Sequence, residues 1–357
     1  MEKFIITCNA GSSNIKLAKY NAKTLALSEK LKVSNLEELV AWYKSQRNII
    51  AIGHRVVHGG NQFTEAVIID DQVIEELNKL ATLAPLHQPQ ELAIISALRA
   101  IAHEVKQVAC FDTAFHKDMP KLEQLLPLPY AYFSEGIRRY GFHGLSYQYI
   151  TSVLPAIAGT KATGKVVVAH LGNGASVCGM VNLKSMATSM GFSALDGLMM
   201  GSRSGALDPG VLLYLLQEKG LTGKQIEELL YAKSGLKGVS GISNDVKVLE
   251  ENGSEEAMRA LKLFSYSAAK YIGSIAVAIG GIDCLVFTGG IGEHSSYIRA
   301  LICSYLKWLG LGIDSTANSA HAEKISDKES SIAAYVIPTD EEKIIARSCA
   351  ELVILNS

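Results

Sequence analysis

Residues 4–18 and 166–180 follow one pattern: a short apolar run, a small polar turn, and a second apolar run. The first copy reads Phe4-Ile5-Ile6-Thr7, then Asn9-Ala10-Gly11-Ser12-Ser13-Asn14, then Ile15-Lys16-Leu17-Ala18. The second reads Val166-Val167-Val168, then His170-Leu171-Gly172-Asn173-Gly174, then the apolar return over 175–180. Apolar runs this short and this rich in β-branched residues predict buried strands. Gly/Asn turns can take positive φ and bring backbone N–H groups close to an anion. Two such hairpins far apart predict an internally duplicated α/β chain, each half offering one phosphate loop to a shared cleft. Two unrelated glycine hairpins would leave the same trace, and the pattern alone does not choose between these readings.

Other polar groups stand where strands should end. After the second hairpin, Gly201-Ser202-Arg203-Ser204-Gly205 holds an arginine between glycines, either a positive finger for a charged ligand or a plain surface arginine. Lys16 lies just past the first turn, within reach of a phosphate. Residues 51–57 read as a strand in which period two puts Arg55 and Val57 on one face. A guanidinium beside a branched apolar side chain suits a small carboxylate with a short alkyl tail; an edge-strand arginine with a solvated head is the plainer alternative. Asp112 follows the apolar run 105–111, at the carboxyl end of a strand, where α/β folds place ligands. Five histidines stand at loop ends (His54, His58, His87, His116, His143), none with HxxxH spacing on a credible helix. They read as donors around an anion rather than as transition-metal ligands.

Several helix boundaries are legible. Asp208 and Pro209 open a helix that Gly220 closes. Thr222 with Gln225 predicts a capping box for the next helix, ending at Ser234-Gly235. The Gly/Ser/Asn loop 238–247 carries Asp245 and Lys247. Met258, Leu261, Phe264, Ala268, Tyr271, Ile272, Ile275 and Ile279 recur at helical spacing, so 255–279 is a long packed helix. The strand 284–287 meets Thr288-Gly289-Gly290-Ile291-Gly292-Glu293, a turn suited to a nucleotide and opening toward a helix. Another strand lies at 335–337. Thr339 with Glu342 predicts a capping box for the C-terminal helix, which leaves Glu341 in its first turn at a strand-to-helix junction. Residues 22–50 are charged and weakly helical.

The 357 residues suggest two domains, and a net charge of −1 with 19% charged residues provides no global field to recruit nucleic acid or an anionic membrane. Six cysteines stand singly with no CxxC pair, as expected of reduced core thiols in a cytoplasmic protein. The opening apolar run is too short for a signal peptide, and no segment reaches membrane-span length. The expectation is a soluble intracellular protein whose anion site is local.

Taken together, these loops resemble the acetate kinase family, part of the superfamily of acetate and sugar kinases, heat-shock ATPases and actin. The matching segments are NAGSSNIK (9–16), GHRVVHGG (53–60), APLHQP (84–89), FDTAFH (111–116), GIRRYGFHG (136–144), HLGNG (170–174), TSMGF (188–192), GSRSGALDPG (201–210), SGLKGVSGISND (234–245), FTGGIGE (287–293) and IPTDEE (337–342). They occur in family order over nearly the whole chain. The resemblance implies a duplicated ribonuclease-H-like, actin-like two-domain fold with an interdomain active-site cleft. It divides the chain into an acyl-substrate domain, 1–113 plus 342–357, and a nucleotide-binding domain, 114–341. It implies a phosphotransferase with a carboxyl acceptor that moves the ATP γ-phosphoryl reversibly to acetate, giving acetyl phosphate and ADP. Mg²⁺, or Mn²⁺ in its place, would assist, in a cytoplasmic homodimer with no nucleic-acid or membrane partner. Carried over by position, Arg55 resembles the carboxylate clamp, with Val57 and Leu86 lining the alkyl pocket. Arg203, His143 and His87 would donate to the phosphoryl oxygens, converging with Arg55 on the reacting groups, and Asp112 matches the catalytic aspartate. Asn9 and Glu341 match the Mg²⁺ positions, acting partly through water. Ser12, Lys16, the loop His170, Leu171, Gly172, Asn173 and Gly174, then Asp245, Val246 and Lys247, and finally Gly290, Ile291, Gly292, Glu293 and His294 would hold nucleotide. Acetate is already ionised at neutral pH, so the nucleophile needs no general base, and Asp112 is expected to orient arginine or a magnesium-bound water.

The chain also departs from the family pattern. Asn14 replaces a third serine, Lys247 an arginine at the adenosine loop, Ala206 a polar residue, and Ala194 the proline of MGFTP, a wall of the alkyl pocket. Residues 23–52 are shorter than in typical members. Losing the proline ring leaves propionate as an alternative acceptor, since one methylene changes discrimination by only about 1–3 kcal/mol. A butyrate kinase would begin its first loop Asn-Pro-Gly, not Asn9-Ala10-Gly11. A non-catalytic actin-like nucleotide switch would need no carboxylate clamp such as Arg55 beside Val57.

Overall fold

The computed structural model describes residues 2–11, 14–85 and 87–354. The chain divides into two compact units: Met1–Lys117, Phe142–Tyr149 and Asp340–Ser357 form the first, and Asp118–Gly141 and Ile150–Thr339 the second. His143 and Glu341, which sequence grouped with the nucleotide domain, therefore cluster with the unit that carries Arg55 and Asp112.

The first unit is built on β1 (Phe4–Ala10), β2 (Ile15–Asn21), β3 (Leu27–Val33), β4 (Ile49–Val56), β5 (Val67–Ile68) and β6 (Lys106–Phe111), in the order β3-β2-β1-β4-β6-β5. β1, β2 and β3 form an antiparallel meander; β4 pairs parallel with β1 and β6 parallel with β4. The second unit repeats the plan with β7 (Lys165–Leu171), β8 (Ala175–Val181), β9 (Lys184–Thr188), β10 (Cys284–Thr288) and β11 (Ala333–Val336). Its order is β11-β10-β7-β8-β9, again an antiparallel meander whose first strand pairs parallel with the strand that arrives by a long crossover. The two hairpins read from the sequence are thus β1–β2 and β7–β8, the same element in each half.

Each sheet carries a helix at close range, and a strand glycine permits it. A Cβ on Gly53 of β4 would collide with Ile345 and Cys349 of the helix Glu341–Val353. A Cβ on Gly179 of β8 would meet Ile275 and Ile279 of the helix Glu255–Ile279, whose bounds are those predicted from its apolar spacing. In the first unit Ile344, Ile345 and Cys349 are buried with Ile5, Ala51, Val108 and Cys110 on one face of the sheet. Ile6, Leu17 and Ile52 face the other way, toward Leu39, Ile94 and Leu98. Among the described residues no helix is long and apolar enough to cross a membrane.

Three local expectations are corrected. Residues 22–50, read as weakly helical, contain strand β3 as well as the helix Leu36–Ser45. The C-terminal helix is capped by Asp340, whose carboxylate accepts from the Lys343 N–H at 3.1 Å, and not by Thr339. Gly172, Asn173 and Gly174 take no left-handed φ. Two helices also end earlier than their glycine signals suggest. The helix opened by Asp208 and Pro209 closes at Gln217, and the Thr222/Gln225 box opens one that runs only to Ala232.

Candidate active site

In the first unit, Arg55 is the centre of a buried polar cluster. It is the penultimate residue of β4, and Asp112 follows the last residue of the neighbouring β6, so parallel pairing brings both side chains to the carboxyl edge of the sheet. Arg55 Nε lies 3.1 Å from both Asp112 oxygens, and Nη2 lies 2.5 Å from Oδ2. Its Nη1 donates to Asn9 Oδ1 at 3.3 Å, from the neighbouring end of β1. Asn9 Nδ2 in turn donates to Glu341 Oε2 at 2.9 Å and to Glu342 Oε1 at 3.0 Å. Lys30 from β3 closes the far side with a 3.2 Å contact to Glu342. Burial opposes the charge of Arg55, but Asp112 and Glu341 outweigh it and hold its pKa above the ordinary value. Burial pushes the Asp112 carboxyl up, while Arg55 and the backbone of His143 oppose that rise.

The turn before the helix Gly144–Ala158 packs directly on this cluster. The Gly144 N–H donates to Asp112 O at 2.8 Å, and a Cβ on Gly144 would strike that carbonyl. His143 itself takes φ +59, a left-handed conformation that non-glycine residues adopt rarely. Val57, the second residue after Arg55, donates its N–H to Glu91 Oε2 at 3.0 Å. Glu91 lies in the first turn of the helix Gln88–Ile101, whose N-cap is His87, and the Glu91 N–H donates to His87 O at 3.1 Å. Lys16 is the cross-strand partner of Asn9, which places the two side chains on one face of the hairpin. Ser12 and Leu86 lie outside the described residues.

In the second unit the glycine loops are knitted together by their backbones. Gly201 N–H donates to Asn173 O at 3.0 Å, and Asn244 Nδ2 to Asn173 Oδ1 at 3.1 Å. A Cβ on Gly201 would collide with the Asn173 side chain, so the glycine permits close approach of two loops. Leu236 and Lys237 N–H donate to Met200 O and Gly201 O, and Arg203 Nη1 donates to Ala194 O at 3.1 Å. Gly289, with φ +77, packs against the Leu171 backbone, and Thr288 pairs with His170 across β10 and β7. The stretches 170–174, 200–203 and 288–292 thus lie beside one another, and Asn244 joins them to Asp245.

Two residues expected to hold nucleotide have visible local duties. Asp245 caps the helix Val246–Asn252, accepting from Lys247 N–H at 2.8 Å. Glu293 Oε1 accepts from the N–H groups of Gly289 (2.9 Å) and Thr339 (3.1 Å), bracing the short helix Gly289–His294, which carries Gly290, Ile291 and Gly292 where a turn was expected, against Thr339. His294 and Lys247 extend into solvent.

Two further residues went unnoticed in the sequence. Arg299 is fully buried and uses all three guanidinium nitrogens, donating to Gly292 O, Glu293 O and Asn318 and meeting His321 Nδ1. Burial lowers its pKa, and no carboxylate pairs with it among the described residues. Glu91 gave no signal either, because an acidic residue in a helix's first turn is ordinarily a solvated dipole partner. Among the described residues no three His, Cys, Asp or Glu side chains cluster as a metal site, and His54 and His116 are held neutral by burial, each lowered to about 4.

A family model described as the acetokinase family matches residues 2–347. The acetate kinase of Rhodopseudomonas palustris strain TIE-1 is 45% identical over 97% of this chain and 98% of its own. That of Methylocella silvestris is 48% identical over 89% of this chain and 80% of its own. Among solved structures, a propionate kinase from Francisella tularensis superposes with TM-score 0.91 at 35% identity, covering 98% of this chain and all of its own. The acetate kinase of Porphyromonas gingivalis superposes with TM-score 0.88 at 34% identity, over 98% and 99% of the two chains. The two sheets of like topology are accordingly the duplicated actin-like fold of these kinases. With a family model matching nearly its full length and curated relatives at 45% identity, the chain belongs to the acetokinase family and is a kinase.

Proposed function

We propose that this kinase moves the γ-phosphoryl of ATP reversibly to acetate, giving acetyl phosphate and ADP. The observation that carries the reading is the Arg55 guanidinium, fixed by Asp112 and Asn9 two residues before Val57. These partners and the Ala10 carbonyl, which accepts from Nη1 at 3.5 Å, aim the guanidinium before any ligand arrives, and its second Nη2 N–H serves a small carboxylate. The carboxylate oxygen attacks the γ-phosphorus, a new O–P bond forms in line, and the bond to the β-phosphate oxygen breaks to release ADP. Both Asp112 oxygens face Arg55, which suits an orienting role better than a proton acceptor. His87, His143 and Arg203 serve as donors to the phosphoryl oxygens, because phosphoryl transfer depends on positioning and charge neutralisation. Within the second unit, the Asn173 and Gly201 loops and the helix that begins at Gly289 suit a polyphosphate.

The donor set suits Mg²⁺, since Glu341 and Asn9 offer hard oxygens with no thiolate or imidazole among them. Glu341 would hold the ion directly and Asn9 through water, its amide oxygen being engaged by Arg55. When bound, the ion would neutralise charge on the phosphates. Buried free thiols at all six cysteines suit a reducing compartment, and we place the enzyme in the cytoplasm.

Propionate is the second acceptor to consider, because Ala194 replaces a proline ring expected at the alkyl pocket. Trapping acyl phosphate with hydroxylamine, using ATP, Mg²⁺ and acetate, propionate or butyrate in parallel, tests both. Acetate is expected to give the highest yield. A propionate preference would move the assignment along the series, and negligible trapping from all three would remove it.

A further inference from the structure

Glu91 is a buried carboxyl group with one oxygen in use. Its side chain is 2% exposed; Oε2 accepts from the Val57 N–H, while Oε1 is buried and makes no hydrogen bond. Its own N–H donates to the carbonyl of His87. One residue therefore ties the strand end that carries Arg55 and Val57 to the turn that carries His87. We propose that Glu91 is a positioning residue for the acceptor end of the site, setting affinity for the incoming carboxylate through Val57 and Arg55. The proposal rests on the reading of Arg55 as carboxylate clamp.

The chemistry follows from charge. Arg55 on β4 and Asp112 after β6 are the charged groups that act on Glu91, and no charged group of its own helix does so. Burial is the largest influence and raises the Glu91 carboxyl to about 8, with Arg55 and the Val57 N–H pulling the other way. A buried anionic oxygen with no donor is far more costly than a buried O–H, so Glu91 holds its proton at neutral pH. In that form Arg55 faces only Asp112 and Glu341, and retains more of its charge for a substrate. Once Glu91 ionises, the same guanidinium faces a third carboxylate before substrate arrives, and the substrate's own binds less well.

The test is the pH dependence of KM for acetate and for ATP, with unsubstituted enzyme and Glu91→Gln side by side. The amide keeps an oxygen for Val57 and cannot ionise. For the unsubstituted enzyme, KM for acetate should rise about tenfold for one pH unit beyond the Glu91 transition, while KM for ATP and kcat stay within about twofold. Glu91→Gln should lack that limb. The same alkaline limb in both proteins, or an equal rise in KM for ATP, overturns the proposal. If Glu91→Gln does not fold, the unsubstituted enzyme still decides: a flat acetate KM between pH 7 and 9.5 overturns it. Absence of turnover with any short carboxylate overturns the clamp reading and this proposal together, an outcome distinct from normal turnover with an unaltered limb.

Discussion

Arg55 and Asp112 are joined by two prongs: Nε sits equidistant from both carboxylate oxygens at 3.1 Å, and Nη2 reaches Oδ2. Each is the other's counter-ion in a place that water barely reaches, since their side chains are 14% and 1% exposed. The arrangement favours Asp112 as the group that aims the guanidinium. Asp112→Asn leaves Arg55 buried without its anion, a change that typically removes about 3–5 kcal/mol of stability. Thermal unfolding should register that loss, and the KM for acetate should rise with the fall in kcat. An Asn variant of native stability and native acetate KM, yet with no turnover, would return a proton-transfer role to Asp112.

Ala194 offers a second check. Its carbonyl accepts from Arg203 Nη1, so the residue is fixed close to a proposed phosphoryl donor. Ala194→Pro should lower the propionate-to-acetate ratio of kcat/KM by about tenfold or more, in keeping with about 1–3 kcal/mol per methylene. An unchanged ratio with normal acetate turnover would show that this position does not bound the alkyl pocket.

The sequence was most informative where chemistry and periodicity coincide. Both hairpins, the helix Glu255–Ile279 and the Thr222/Gln225 capping box could be read because apolar spacing or a local side-chain-to-backbone bond specifies them. β3 could not, since Leu27, Ser28, Glu29 and Lys30 are all exposed at the sheet edge and show no buried face to alternate with. Asp340 and Thr339 are both plausible caps, and only backbone geometry separates them. Arg55 and Asp112 stood out as charges at the ends of apolar strands, whereas their pairing depends on the parallel register of β4 and β6. Glu91 and Arg299 stayed hidden because burial of a charged residue is a tertiary property, invisible in its immediate neighbours.

Glu293 separates a bracing role from direct nucleotide contact. One carboxylate oxygen accepts both backbone N–H groups, from Gly289 and Thr339. Glu293→Gln keeps an amide oxygen for that task and should leave KM for ATP within about twofold, while Glu293→Ala leaves two N–H groups unpaired and should raise it severalfold. If Gln is as damaging as Ala, the charge itself is required and the residue contacts nucleotide or metal.

The helix Pro209–Gln217 bears on assembly. It has no buried residue, and Val211, Leu213, Tyr214 and Leu216 are all more than two-fifths exposed. An apolar surface of this kind is a candidate interaction site, and the family resemblance implies a homodimer. Light scattering behind size exclusion should give twice the monomer mass for the native chain and the monomer mass for Leu213→Glu. A native chain that is monomeric at micromolar concentration would remove the homodimer that the resemblance implies.

Stability against pH provides an independent reading of Glu91. Its folded pKa of about 8 lies above the usual carboxyl value of 4.5, so folding favours the protonated form. Below the unfolded value both states hold the proton, and the stabilisation associated with it is complete. As pH rises from about 4.5 toward 8, the unfolded chain ionises and the folded one does not, so native stability falls by up to about 1.4 kcal/mol per pH unit. Above 8 both states are ionised and the effect levels off. Denaturant unfolding of the native protein and of Glu91→Gln across this range should show the native curve dropping relative to the variant and then running parallel to it. Curves that stay parallel throughout would mean that Glu91 is ionised in the folded enzyme at neutral pH. In that case Arg55 would already be sharing its charge among Asp112, Glu341 and Glu91 when acetate arrives.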